Sequence, residues 1–303
     1  MTDTTQTPTD FVTVFQLDGQ PVRGRAVKLG AALDQALSPN GVARYPDSIA
    51  RLLGEAMMTG AIIAQSLKFD GRLVVQCHGT NKGAVSLLMA DCTTDGSIRG
   101  YARWDADALK EIELDSKTPG ADVLLGRGTF SMTIDQGPDM DQYQGVSAID
   151  GESLSLCAEH YFNQSEQIPT RLHLACGQSV DAGGSHWSGG GIMIQKIADD
   201  EARPDATPPW ETAQQLFATL TDAELVDPEL STDTLLYRLF NEYGVRVVDT
   251  HDVNANCRCS RERLLNTLKS FEKTALEDMA QDGVISANCE FCATDYTFPL
   301  SEL

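Results

Sequence analysis

Apolar residues at Ile49, Leu52, Leu53, Ala56, Met57, Ile62 and Ile63 recur close to helical period, which predicts a helix over 47–68. Pro46 and Asp47 supply its start signals. Asp70-Gly71 turns the chain, and the period then shortens. Runs at 72–76, 84–92 and 98–104 read as strands, with Thr94-Asp95-Gly96 as the turn between the last two. The β pattern continues at 129–135 and 146–149. A helix is predicted over 152–164, with Leu154, Leu156, Ala158, Tyr161 and Phe162 as its apolar positions. Closing strands follow at 171–175 and 191–197. Strand groups interrupted by helices, without βαβ alternation, predict an α+β fold of packed antiparallel sheets with helices.

The pattern changes at Asp199. Residues 199–233 hold ten acidic residues against one basic residue, Arg203, and four of the twelve prolines, at 204, 208, 209 and 228. Helical pieces remain at 210–220 and 232–243, the second with Leu235, Leu236, Leu239 and Phe240 in phase. Three parts are therefore expected: an N-terminal domain over 10–197, a metastable helical linker over 198–250, and a small C-terminal module over 251–303. The linker reads as semi-structured and open to local unfolding. In the module Ser260 is a candidate N-cap for a helix to about Ser270, with Glu262 in its first turn. A second helix is predicted over 275–281, ended by Asp282-Gly283. Residues 284–298 then read as a hairpin with Cys289-Glu290-Phe291-Cys292 at its turn.

Charge narrows the function classes. Lys and Arg total 23 against 44 Asp and Glu, a net charge of −21 over 303 residues. Such a field repels a phosphate backbone. The module itself carries five basic and nine acidic residues, the opposite of a nucleic-acid-reading zinc ribbon. No apolar run reaches about 18 residues, so no membrane span is expected. Residues 1–10 lack the basic and apolar regions of a targeting segment, and a cytoplasmic location is expected. In that compartment eight cysteines point to metal or redox chemistry rather than a disulfide scaffold.

Four of the eight form a pattern. Cys257-Arg258-Cys259 and Cys289-Glu290-Phe291-Cys292 are two tight pairs separated by 29 residues. Four thiolates can close a tetrahedron around one Zn²⁺, with Zn–S near ~2.3 Å. Each pair can instead close a local disulfide, since C-x-x-C is a common redox unit. The same residues also suit a static structural zinc site, and spacing alone leaves these readings open. His251 could replace a ligand, but four thiols already complete the shell. Cys77, Cys92, Cys157 and Cys176 are solitary in apolar contexts and read as inert buried thiols. Gly189-Gly190-Gly191 lacks a following Lys-Ser/Thr and reads as a backbone turn. Gly126-Arg127-Gly128 lacks the third glycine of a dinucleotide fingerprint. No constellation for general acid–base or nucleophilic catalysis is present, so an enzyme is not expected.

CRCSRERLLNTL and CEFCATDYTF resemble the redox switch of the 33 kDa chaperonin family (heat shock protein 33), a redox-regulated holdase. LKFDGRLVVQCHG, LMADCTTDGSIRGYARW, YQGVSAIDGESL, YFNQSEQIPT and GGGIMIQ resemble its N-terminal domain, in the same order. The resemblance covers roughly residues 10–300; the tail before Asp10 and the acidic stretch 199–233 match less clearly. It implies an ATP-independent chaperone that binds unfolding client proteins and is a homodimer when active. It implies one zinc on Cys257, Cys259, Cys289 and Cys292 in the reduced, inactive state. Oxidation is then expected to pair Cys257 with Cys259 and Cys289 with Cys292, because short loops close with least entropy. Zinc release and linker unfolding would follow, exposing apolar surface such as Leu235, Leu236, Leu239, Phe240 and Phe271. A static zinc-ribbon adaptor and a thiol–disulfide oxidoreductase on Cys289 and Cys292 are the competing readings.

Overall fold

Two sheets and one helix between them organise the first 255 residues. The structure, a computed structural model, describes residues 9–67, 70–137, 140–181, 184–197 and 209–303. The chain divides into two compact units, Met1–Ala255 and Asn256–Leu303. The first unit opens with a hairpin of β1 (Phe11–Leu17) and β2 (Val22–Leu29), then α1 (Ala31–Leu37) and α2 (Asp47–Ala64). A meander of β3 (Arg72–His78), β4 (Val85–Thr93) and β5 (Ser97–Trp104) follows, then α3 (Ala106–Asp115) and α4 (Ala121–Leu125). Next come β6 (Thr129–Asp135), β7 (Tyr143–Ala148), α5 (Leu154–Tyr161), β8 (Thr170–Asp181) and β9 (Gly184–Lys196). The unit closes with α6 (Pro209–Phe217), α7 (Asp222–Val226), α8 (Thr232–Phe240), β10 (Val245–Asp252) and β11 (Asn254–Ala255).

One sheet runs β10-β1-β2-β9-β8 and is antiparallel throughout. The other runs β11-β5-β4-β3-β6-β7, with only the short β11–β5 pair parallel. The fold is α+β, as the strand pattern predicts. Helix α2 is buried on almost every side, because it packs against β3, β4 and β5 of one sheet and β2, β8 and β9 of the other. Close approach requires small residues. A Cβ on Gly54 or Gly60 would lie 2.5 Å from the Sγ of Cys176 or Cys92 respectively. A Cβ on Gly100 of β5 would lie 2.9 Å from Leu53 and Met57. Cys92 and Cys176 therefore fill notches in α2. Burial pushes the thiols of Cys77 and Cys176 up, and that of Cys157 up to about 11. These three are inert packing groups.

The outer face of the five-stranded sheet is covered by α6, α7 and α8. Phe15, Val22, Ala26, Ile192 and Ile194 meet Trp210, Ala213, Phe217, Leu225 and Phe240 there. The described part of the expected linker, 209–250, is thus three helices and most of an edge strand inside the first unit. Residues 198–208 of that linker lie outside the described residues. The acidic run and prolines mask an apolar stripe at Trp210, Ala213, Phe217 and Leu220, all buried. Three other expectations need correction. Gly189–Gly191 is not a turn but lies within β9, paired with β2 and β8. Helix α2 ends at Ala64, short of 68. Phe271 is already 47% exposed, so it is not surface that unfolding would reveal.

Gly60→Ala should distinguish helix propensity from packing. Alanine in a helix interior gains up to about 1 kcal/mol over glycine, but overpacking costs about 1–3 kcal/mol. Thermal unfolding followed by circular dichroism should show Gly60→Ala lowering Tm in the natural background. In a Cys92→Ala background, where the notch is empty, the same change should raise it.

Glu55 on α2 should make stability fall with rising pH. Its Oε2 is closed off from water and has no hydrogen-bond partner. Burial pushes its carboxyl up to about 7, against the pull of the Leu154 amide. The folded state therefore holds a proton that the unfolded state has lost above about pH 4.5. The stabilisation is full below that pH and is lost as pH rises towards and through 7, at most about 3 kcal/mol. Glu55→Gln should remove this part of the slope of Tm against pH between 4.5 and 7.5.

Candidate metal centre

The second unit is too small to rest on apolar burial alone. Its buried residues are Leu276, Ile285 and Phe298, with Leu264, Leu265, Leu268 and Tyr296 packed partly against them. Units of this size commonly need a metal or disulfide staple. Its elements are α9 (Arg261–Leu268), α10 (Lys273–Met279), β12 (Val284–Asn288) and β13 (Asp295–Pro299). The Ser260 hydroxyl caps α9 by accepting from the Arg263 amide at 3.2 Å. Arg263 in turn donates from its guanidinium to the Arg258 carbonyl at 2.9 Å. This pins the strip carrying Cys257 and Cys259 to the first turn of the helix. Arg261 lies 4.8 Å over the Phe298 ring and donates to Glu302 at 2.6 and 2.5 Å, tying α9 to the hairpin end.

The hairpin presents the second pair. β12 and β13 pair in register from Val284↔Pro299 to Asn288↔Asp295, leaving Cys289–Cys292 in the connection. The Asn288 amide donates to Asp295 at 2.7 Å and to the Ala293 carbonyl at 3.2 Å. Backbone bonds from Cys289 N to Thr294 O and from Ala293 N to Cys289 O close the turn. Ala293 accepts a φ of 55° there, a conformation that costs about 1 kcal/mol or more in a non-glycine residue.

All four predicted sulfurs meet. Their Sγ atoms lie within 4.8 Å of one another. Cys257 and Cys289 are 3.7 Å apart, and Cys259 and Cys292 are 3.4 Å apart. A tetrahedron with metal–sulfur bonds of ~2.3 Å has edges of about 3.8 Å. A disulfide would require about 2.05 Å, and all four are free thiols. His251 lies on β10 and contacts Asp249 at 3.5 Å; it is not part of the cluster.

The electrostatics of the cluster call for a cation. Burial pushes the Cys259 thiol up to about 12, although the Tyr296 hydroxyl bond favours its thiolate. Burial also raises Cys289. At Cys292 burial is outweighed by bonds from the Thr294 hydroxyl and amide and from neighbouring thiols, and the group falls to about 6. Without a cation the Cys292 sulfur ionises readily, while Cys259 and Cys289 resist. A divalent ion at the centre reverses that resistance, because each thiolate then faces positive charge. The residues thus fit a soft divalent metal. Thr294 and Tyr296 were not singled out by sequence reasoning. Each places a hydroxyl 3.1 Å from a sulfur, Thr294 at Cys292 and Tyr296 at Cys259, where such groups orient and tune ligands. Their signal was present in the alternation after Cys292, which turns Thr294 and Tyr296 to the side of the sulfurs. The C-x-x-C occupies a hairpin turn, whereas oxidoreductases place it at a helix N-terminus.

Comparison with known proteins identifies the family. The sequence model of the family described as Hsp33 protein matches residues 10–299. The chain is 48% identical over 288 residues to a 33 kDa chaperonin of Caulobacter vibrioides, covering 95% of this chain and 94% of that one. It is 35% identical to a 33 kDa chaperonin of Chromobacterium violaceum, covering 94% and 89%. The crystal structure of the 33 kDa chaperonin (heat shock protein 33 homolog) from Thermotoga maritima shares the fold. Its TM-score is 0.80 at 22% identity, over 97% of this chain and 96% of that one. With a match spanning nearly its whole length and relatives this similar, the chain belongs to the Hsp33 family.

Proposed function

We propose that this protein is a redox-regulated, ATP-independent holdase, a binder of unfolding proteins rather than an enzyme. The observation that carries this reading is the four-thiol cluster in a unit with only three fully buried apolar side chains. In the reduced state Cys257, Cys259, Cys289 and Cys292 hold one zinc. A structural zinc supplies ~10–16 kcal/mol of apparent folding free energy in small domains, more than such a core can replace. An oxidant such as peroxide takes two electrons from each pair of thiols. Each pair then forms one S–S bond, and peroxide leaves as water. Sulfurs joined in S–S bonds would no longer hold a divalent ion, and the module, left with its small apolar core, would unfold.

The sulfur contacts of 3.7 and 3.4 Å cross between the two pairs. In the unfolding module, however, loop entropy favours the neighbouring bridges, Cys257 with Cys259 and Cys289 with Cys292. Cys292, with its lowered pKa, is the thiolate that reacts first once zinc is loosened. Opening of the 209–250 segment then uncovers Leu235, Leu236, Leu239 and Phe240, now 6%, 1%, 6% and 0% exposed, together with the sheet face beneath them. Clients bind there, and the net charge of −21 keeps the complex in solution. The active form is a homodimer, and the buried free thiols suit a reducing compartment such as the cytoplasm. Among the described residues no helix is long and apolar enough to cross a membrane.

Metal analysis tests the ligand set. The reduced protein should hold one zinc per chain, a Cys289→Ser, Cys292→Ser variant should lose it, and Cys77→Ser should retain it. Full retention in the double variant would remove the assignment. Peptide mapping after peroxide and alkylation should find the two neighbouring bridges. A dominant bridge between the pairs, or one to Cys157, would contradict the pairing.

A further inference from the structure

Among the ties of helix α7 to the five-stranded sheet is one buried ammonium. Lys28 of β2 is 4% exposed, on the strand face that carries Val22 and Ala26 into the layer beneath α6–α8. Its Nζ donates to the Leu225 carbonyl at 2.9 Å and the Asp227 carbonyl at 2.6 Å. The carbonyl between them, Val226, accepts from the Ser188 hydroxyl of β9 at 3.2 Å. These are the end carbonyls of a five-residue helix, which have no partner within it. A cation at that end is also favoured by the helix dipole.

The seat is built for this contact. Gly190 pairs with Lys28 across β2 and β9, and a Cβ there would stand 2.5 Å from the Leu225 carbonyl oxygen. The glycine run of β9 thus lets the helix end lie against bare backbone, with Leu225 buried to 1%. The other end of α7 is tied by Asp222, whose carboxylate meets His173 Nε2 of β8 at 2.7 Å. The His173–Asp222 pair is largely exposed on the acid side, and exposed pairs contribute little. Lys28 is different, because the desolvated ammonium and the Leu225 carbonyl lose each other if α7 lifts, whereas the Asp227 carbonyl keeps the Leu230 amide at 3.3 Å. Burial already lowers the pKa of Lys28, with the Asp227 charge opposing.

We propose that Lys28 is the latch that keeps α7, and with it the 209–240 helices, on the sheet in the resting protein. This rests on the holdase reading above. Lys28 acts as a positioning residue, and its loss opens the segment without any change at the cysteines. The test uses full-length, reduced, zinc-loaded Lys28→Met, with Lys28→Gln retaining one side-chain donor. Hydrogen exchange over 217–230 should speed up at least tenfold in Lys28→Met and less in Lys28→Gln. Lys28→Met should suppress client light scattering without oxidant while still holding one zinc per chain. A role confined to general stability would lower Tm without this uncoupling of activity from zinc. Slow exchange over 217–230 in a folded Lys28→Met would overturn the latch. So would collapse of both variants, which would make Lys28 a requirement of the whole domain. If the natural protein fails to respond to oxidant, the holdase reading falls, and the exchange result still decides the latch.

Discussion

Four sulfur atoms held within 4.8 Å of one another impose the constraint on which the rest depends. Four thiolates that close repel strongly in a part-buried site, and four thiols make poor packing for a unit with three buried apolar residues. A divalent cation resolves both problems, since it supplies the charge and the cross-link together. The Ser260 cap, the Arg263 bond to the Arg258 carbonyl and the closed hairpin turn at 289–294 deliver the sulfurs to one point. Each is a local feature of modest energy, and only the shared centre makes them add up to a fold. On the proposed reading that is why removing electrons from four atoms can unfold some fifty residues.

The first unit is arranged around a different kind of dependence. Its inner layer, α2 between two sheets, rests on apolar contact and on glycine notches filled by Cys92 and Cys176. Its outer layer, α6–α8, is joined to the sheet by a separate and smaller apolar cluster. Stability in proteins is not uniform, and peripheral layers open at lower cost than cores. The outer layer mixes apolar burial with polar ties at Lys28, Ser188 and His173. On the proposed reading it is released while the inner layer stays intact. A holdase requires that combination, with a stable platform and a cover that leaves it.

Much of this was legible in the chain. The stripe from Ile49 to Ile63 marks the central helix, and the 284–298 alternation marks the hairpin that carries the second cysteine pair. The clustering of the four cysteines was readable because two close cysteine pairs in a short module have few other uses. The β1–β2 hairpin and β10 were not anticipated. β10 is an edge strand with most positions exposed, including Val247 and Val248 at 47% and 58%. Its membership of a sheet is set by pairing with β1, some 235 residues away in sequence, which no local pattern encodes. The packed state of α6–α8 was hidden for a related reason. Their acidic exposed faces dominate the composition, and only the spacing of Trp210, Ala213, Phe217 and Leu220 betrays the buried side. Lys28 likewise reads as an ordinary surface lysine until the end of α7 is placed over it.

On the proposed reading, zinc occupancy and holdase activity are opposite states of one switch. Peroxide titration of the reduced, zinc-loaded protein, with released zinc and suppression of client light scattering followed on the same samples, tests it most directly. The account predicts that the two rise together, and that thiol reductant with added zinc returns both to the starting values. Full suppression by protein that still holds its zinc, or complete zinc release with no gain in suppression, would contradict it.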